Sequence, residues 1–343
     1  MQIIIVGAGK VGTSLTDQLI REHRVTVIDQ ESRLIDNIIN VYDVMGVCGN
    51  GASYEVQKEA EVGKADLLIA TTSSDEINIL ACLVAKKLGV AHTIARIRNP
   101  EYETQLRFMR GELGLTMAIN PEKAAAHEIA RVLRFPAAMK LESFSKGRLE
   151  LVEYRLPEDS VLNGVRLLDI YKNARARVLI CAVSRKGETT IPSGDFQLKS
   201  GDKIYFTAAP DQLSAFFQYL GVFRKKASTV MIVGASKMSY YLADELLHMG
   251  MRVKIIDQNE ARCTQISEQL PRAMVSMGDG TDSELLAEEG IEQTDAFVAL
   301  TGIDEANILM ALCASRQTER CKVVAKINRR SLTELVSSEG MID

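Results

Sequence analysis

The sequence predicts an α/β protein in which two doubly wound parallel-sheet domains are separated by a small α+β domain. Two observations predict it: a set of landmarks occurs twice in the same order, and within each copy short apolar runs alternate with helical stripes. Ile4-Ile5-Val6-Gly7-Ala8 returns as Met231-Ile232-Val233-Gly234-Ala235, and Val27-Ile28-Asp29-Gln30 as Ile255-Ile256-Asp257-Gln258. Gly49-Asn50-Gly51 returns as Gly278-Asp279-Gly280. Asp75-Glu76-Ile77-Asn78-Ile79-Leu80 returns as Asp304-Glu305-Ala306-Asn307-Ile308-Leu309, and Ala95-Arg96-Ile97 as Ala325-Lys326-Ile327. The offset drifts only from 227 to 230 residues, as short loop insertions between fixed elements would make it. The two copies are expected at 1–118 and 228–343.

Within the first copy, apolar runs at 3–6, 25–28 and 67–70 predict buried parallel strands. Such strands need no polar alternation, because helices cover both faces of the sheet. Val11, Leu15 and Leu19 recur every four residues and predict a helix; Ile77, Leu80, Ala81 and Val84 predict another. Ala306, Leu309, Met310 and Cys313 keep that second stripe with different side chains.

Between the copies the pattern changes. Asn120-Pro121 reads as an N-cap followed by proline at the first helical position. Ala125, Ile129 and Val132 then mark a connecting helix over 119–137, which Phe135-Pro136 should end. The block 138–221 reads as the small α+β domain. Its short strands at 149–154, 178–183 and 203–206 are punctuated by turns at Lys146-Gly147, Lys186-Gly187-Glu188, Ser193-Gly194-Asp195 and Ser200-Gly201-Asp202.

Composition narrows the function. The 343 residues carry a formal net charge of -4, which argues against the basic face that nucleic acid demands, so no nucleic-acid partner is expected. No window approaches the roughly 20 continuous apolar residues of a membrane span, and the chain enters a strand at once instead of a signal peptide. A soluble, cytoplasmic protein is the expectation. Six cysteines without a Cys-x-x-Cys spacing read as reduced thiols, and four histidines make a histidine metal site unexpected.

The chemistry concentrates at Gly7-Ala8-Gly9-Lys10-Val11-Gly12. This G-x-G-x-x-G follows a strand, opens a helix, and has Asp29 at the end of the next strand. Gly7 permits the tight turn, Gly9 admits a pyrophosphate to the backbone, and Gly12 lets helix pack on strand. The helix N-terminus presents amides and a positive dipole end to phosphates, and Asp29 would accept from ribose hydroxyls. A 2′-phosphate would meet that carboxylate repulsively, which favours NAD or an adenosine nucleotide over NADP. Thr72 and Ser73 follow the strand at 67–71 at the sheet edge where such folds hold ligands, and can also cap the next helix. Arg96 ends the strand at 93–95 on the same edge and could reach phosphates there; Lys10 adds a cation. In the second copy Gly234 and Asp257 remain, but Gly9 and Gly12 become Ser236 and Ser239, which predicts a weaker or empty site.

No catalytic constellation emerges. Tyr54 and Lys58 form a Tyr-x-x-x-Lys, but after the third strand, whereas short-chain dehydrogenases place it beyond the fourth. HExxH, GxSxG and Walker patterns are absent from the sequence, and His23 and His127 read as surface residues. No enzyme activity is expected.

Taken together, the two glycine-loop domains with Asp29 and Asp257, Thr72 to Asn78, Ala95-Arg96-Ile97-Arg98, and Ser200-Gly201-Asp202-Lys203-Ile204-Tyr205-Phe206 resemble the TrkA family. These are peripheral subunits of bacterial Trk potassium uptake systems, built from domains that regulate potassium conductance. The resemblance spans the whole chain. It implies NAD(H) and adenine-nucleotide (ATP/ADP) binding at Gly7, Ala8, Gly9, Lys10, Val11, Asp29, Thr72, Ser73 and Arg96. It implies a second site at Gly234, Ala235, Ser236, Lys237, Met238 and Asp257. It further implies a homo-oligomer, dimer or tetrameric ring, docked from the cytoplasm on a TrkH-type membrane potassium-translocating subunit. The family pattern also places a second small lobe after copy two, which these 343 residues do not contain. The competing readings are an NAD-dependent oxidoreductase with the middle block as substrate domain, and a soluble nucleotide-sensing scaffold without a membrane partner.

Overall fold

The computed structural model describes residues 1–102, 114–134, 140–144, 148–221, 227–318, 321–329, 332 and 333. The chain divides into two compact units, Met1–Ala124 and Ala125–Asp343. The expected helix stop at Phe135-Pro136 and the turn at Lys146-Gly147 lie outside the described residues.

In the first unit, strands β1 (Gln2–Val6), β2 (Arg24–Asp29), β3 (Met45–Cys48), β4 (Leu67–Ala70), β5 (His92–Arg96) and β6 (Met117–Ile119) form one sheet in the order β3-β2-β1-β4-β5-β6. All the pairings are parallel. Ile3, Ile4, Ile5 and Val6 are all buried, as both faces of β1 are covered by helices. Order reverses between β1 and β4, and that is where a doubly wound sheet opens a crevice at its C-terminal edge.

The second unit contains two sheets. One runs β10-β9-β11-β8-β7, built from β7 (Lys140–Phe144), β8 (Leu149–Arg155), β9 (Leu179–Arg185), β10 (Glu188–Thr190) and β11 (Lys203–Ala208), all antiparallel. Here burial alternates: Ile204, Phe206 and Ala208 are buried while Lys203, Tyr205 and Thr207 are not, as expected for a sheet with one packed face. Leu213, Phe216 and Phe217 of the helix Pro210–Tyr219 cover that face. The other sheet repeats the first: β12 (Thr229–Val233), β13 (Arg252–Asp257), β14 (Met274–Met277), β15 (Ala296–Ala299) and β16 (Lys322–Ala325) in the order β14-β13-β12-β15-β16, all parallel.

Two expected stripes face other ways. The helix Asp75–Lys87 turns Asn78, Ala81, Cys82 and Ala85 to the core and leaves Leu80 exposed; Asp304–Gln317 likewise buries Asn307, Met310, Ala311 and Ala314 and exposes Leu309. Small side chains, not the largest ones, let each helix approach its sheet. The connecting helix Pro121–Arg134 starts at Asn120 as expected, with the Lys123 N–H donating to Asn120 Oδ1 (2.9 Å). Its buried residues are Ala126, Ala130 and Leu133, one position on from the expected stripe, and they join the core of the second copy beside Leu242 and Leu246.

Asp202, in the turn before β11, anchors the small sheet. It is 1% exposed and takes both Nε and Nη2 of Arg185 at 2.7 Å and the Lys199 N–H at 2.8 Å. Burial pushes its carboxyl up, but Arg185 and the Lys199 amide outweigh this and hold it below the usual carboxylate range. A depressed carboxylate adds stability above its unfolded value, and that contribution drains away as pH falls below about 4. Asp202→Asn is expected to lower stability at pH 7 by about 1.5–3 kcal/mol, the worth of hydrogen bonds to a charged group. Denaturant titrations at pH 7 and pH 3.5 check this: the gap between wild type and variant should narrow at the lower pH.

Candidate nucleotide-binding site

The glycine loop joins β1 to the helix Lys10–Leu19, and its shape follows from backbone packing. Gly7 has φ +107°, and a Cβ there would lie 2.9 Å from the Thr72 amide nitrogen, so the loop touches the end of β4 directly. A Cβ on Gly12 would lie 1.8 Å from the Gly7 carbonyl oxygen. A Cβ on Gly9 would meet nothing within 4 Å. Gly7 and Gly12 are therefore demanded by the fold, whereas Gly9 faces open space. Gly9 also caps the helix without a side chain, so no side-chain acceptor occupies the first helical amides.

Asp29 stands at the end of β2 in hydrogen-bond contact with this loop. Its Oδ2 accepts from the Ala8 N–H (2.6 Å) and its Oδ1 from the Glu31 N–H (2.9 Å). Two amides fix the carboxylate's orientation, and lone pairs remain for hydroxyl donors. Lys10 and Ser73 are exposed, while Val11 and Thr72 are half-buried.

Thr72 does not cap the next helix; Ser74 does, its hydroxyl accepting from the Ile77 N–H (3.2 Å). Thr72 is held instead by Asn78, fully buried inside that helix. Asn78 Oδ1 accepts from the Thr72 N–H (2.8 Å) and hydroxyl (2.7 Å), and Asn78 Nδ2 donates to the Arg96 carbonyl (2.8 Å). One amide thus ties the ends of β4 and β5 together. Asp75, 3% exposed, accepts from the Arg98 and Asn99 amides (2.8 and 2.7 Å), and Arg98 also donates to the Ser73 carbonyl. Arg96 is half-buried, and its guanidinium lies against Glu122 (Nη2 to Oε1, 2.7 Å). Gln57, fully buried, donates to the Gly51 and Ala81 carbonyls (2.7 and 2.9 Å) and steadies the loop after β3.

Asn78, Asp75 and Gln57 were not assigned roles from the sequence. For the first two a signal existed: a polar residue in a helix core, and an acid at its start, recur in both copies. Gln57 had none, since the second copy has Leu286 there.

The second copy reproduces the frame. Gly234 has φ +105°; Ala235 N–H donates to Asp257 Oδ2 (2.6 Å), and Asn259 N–H to Oδ1 (2.8 Å). Asn307 binds the Thr301 amide (3.0 Å) and the Lys326 carbonyl (2.9 Å) as Asn78 binds Thr72 and Arg96. Asp304 is pushed up by burial but held below its usual value by the Asn328 and Arg329 amides. The difference is in the loop. Ser236 Oγ accepts from the Ser239 N–H (3.2 Å), and the Ser239 hydroxyl donates to the Gly234 carbonyl. Ser239 is itself fully buried against the loop. Ser236 meanwhile takes an amide that Gly9 leaves open. Lys237 is exposed and Met238 half-buried beside it.

The family comparison matches this repeat. A model described as the TrkA-N domain matches residues 3–121 and again 230–343, and one described as the TrkA-C domain matches 151–221. The chain belongs to the TrkA family. It is 33% identical over 343 residues to a Trk system potassium uptake protein TrkA homolog of Archaeoglobus fulgidus, covering 99% of this chain and 77% of the relative. It is 33% identical over 348 residues to Trk system potassium uptake protein TrkA of Vibrio alginolyticus, covering 100% and 75%. Among solved structures, the GsuK RCK domain matches with a TM-score of 0.71 at 21% identity, over 99% of this chain and 72% of that one. The GsuK channel bound to NAD matches with a TM-score of 0.70 at 21% identity, over 99% and 60%. At those identities the likeness is one of fold. Among the described residues no helix is long and apolar enough to cross a membrane.

The two inner glycine positions differ in how closely the backbone packs around them. Gly12→Ala is expected to cost about 1–3 kcal/mol as overpacking, while Gly9→Ala should cost less than about 1 kcal/mol as a changed cap. Thermal denaturation of the two variants checks the order; equal losses would contradict it.

Proposed function

We propose that this chain is a nucleotide-sensing regulatory subunit that binds NAD(H), and ATP or ADP, at Gly7–Gly12, Asp29, Thr72, Ser73 and Arg96. One observation carries the reading. At the switch point between β1 and β4, uncapped helical amides and a fixed carboxylate stand together on an open edge, with Gly9 facing free space. The amides suit a diphosphate and the carboxylate suits a ribose diol. The relatives named as TrkA and the channel solved with NAD support that assignment.

The partner in this reading is a TrkH-type membrane subunit that translocates potassium, and the chain works from the cytoplasmic side as a homo-oligomer. Nucleotide in the crevice changes the disposition of the lobes, and that change biases the partner's open and closed states. A coupling of about 1–3 kcal/mol between the two sites is enough. The first copy, 1–118, is the sensing domain, with 119–137 as connector, 138–221 as small lobe and 228–343 as second copy. Co-purification with the membrane subunit, and potassium flux through it with and without added nucleotide, test the regulatory role. Nucleotide-independent flux would overturn it.

The site itself is tested at Asp29. Asp29→Ala is expected to weaken NADH and ATP together by roughly tenfold or more, since both present a ribose diol to the same charged acceptor. Calorimetry reads this. Asp29→Asn, which keeps the side chain's shape, separates loss of charge from loss of the Ala8 contact. The chain binds without chemistry in this reading, so NADH absorbance should stay constant over a panel of aldehydes and keto acids. Sustained cofactor-dependent turnover would favour the oxidoreductase instead.

A further inference from the structure

We propose that Glu122 is an internal competitor for Arg96: it holds that guanidinium when the crevice is empty and yields it to ligand phosphate, so that nucleotide binding unloads the start of the connecting helix. This rests on the nucleotide reading above and adds a regulatory contact to it.

The pair is a mismatched one. Arg96 Nη2 meets Glu122 Oε1 at 2.7 Å, with both side chains 18% exposed. Arg96 Nε and Glu122 Oε2, the atoms that a two-pronged guanidinium–carboxylate pair would join, are both buried and lack hydrogen-bond partners among the described residues. Arginine and carboxylate have the geometry for two parallel bonds, and here they make one. Buried polar atoms left unmade are costly, so the pair is held below its full strength and is open to exchange.

Arg96 also stands at the end of β5 on the crevice edge. Its backbone is fixed, since its carbonyl accepts from Asn78 and Ile97 N–H donates to the Ile119 carbonyl (2.9 Å), so only the side chain can change partner. Arg98, two residues on, is committed to Asp75 and the Ser73 carbonyl. A diphosphate presents several acceptors, which can satisfy Nε as well as Nη2.

Glu122 sits in the first turn of the helix Pro121–Arg134, where the helix dipole already favours an acid. Once phosphate takes Arg96, Glu122 is a half-buried carboxylate without its cation and close to new negative charge. The first turn then moves or loosens. Further along the same helix, Ala126, Ala130 and Leu133 are buried in the core of the second copy, so a disturbance at Glu122 enters a helix that is embedded there. The second copy has Lys326 where Arg96 stands in the first, and a lysine has no fork to share.

The test is calorimetry on the full chain with ADP and with adenosine, for wild type, Glu122→Gln, Arg96→Gln and the double variant, with thermal melts as a check on folding. Glu122→Gln should tighten ADP by roughly fivefold or more, the lower end of ordinary site coupling, and leave adenosine unchanged. Arg96→Gln should weaken ADP, and the double variant should match Arg96→Gln alone. Hydrogen exchange should show the first turn of Pro121–Arg134 exchanging faster with ADP in wild type, and no such change in Glu122→Gln. If Glu122→Gln melts early, Glu122→Asp, which keeps the charge but shortens the reach, should tighten ADP in the same direction. ADP binding unchanged or weakened in a folded Glu122 variant overturns the competition, as does tightening that persists without Arg96. Absence of ADP binding in wild type and variants alike overturns the nucleotide reading, and the competition with it.

Discussion

Backbone passing against backbone at Gly7 is the constraint on which the crevice depends. The β1 turn reaches the end of β4 so closely that no side chain fits at residue 7, and the helix that follows lies so close that none fits at residue 12. This approach brings the helix N-terminus, Asp29 and Thr72 to one edge. The same constraint recurs at Gly234, against Leu300 and Thr301, where the helix-side position has admitted Ser239 because its hydroxyl bonds the Gly234 carbonyl.

Around that contact the polar residues serve as ties between strand ends. Asp29 and Asp257 each pin their own loop, Asn78 and Asn307 each join two strands, and Asp75 and Asp304 each receive two amides from the segment after the last shared strand. Every one is partly or wholly buried and satisfied, so each stabilises the crevice without obstructing it. The two copies therefore share a frame and differ in the loop that faces solvent. In the first copy no side chain caps the leading helical amides; in the second, Ser236 accepts from the Ser239 amide.

The connecting helix gives this arrangement a direction. Its first turn carries Glu122, paired with an arginine at the crevice edge, while Ala126, Ala130 and Leu133 belong to the core of the second copy.

The sequence alone determined the fold class, the repeat, the strands at 3–6, 25–28 and 67–70, and the glycine loop with its acid. Each of these is a pattern along the chain: an offset, a run, a motif beside a strand. It also determined the α+β character of the middle block, through turn residues. The tertiary structure decided which way amphipathic helices face and whom the charged groups meet. Leu80 looked like core and is exposed, because the sheet is approached by Asn78, Ala81 and Ala85, whose small size sets the helix–sheet distance. The connecting helix turned by one residue for the same reason, with Ala126 and Ala130 against the second copy. Arg96 was placed on the right edge by its strand, but its partner Glu122 lies 26 residues on, in another element. Hydrophobic periodicity records how often a chain returns to one face, not which neighbour that face meets; a charge pairs through space, and only the packed fold brings the two ends together.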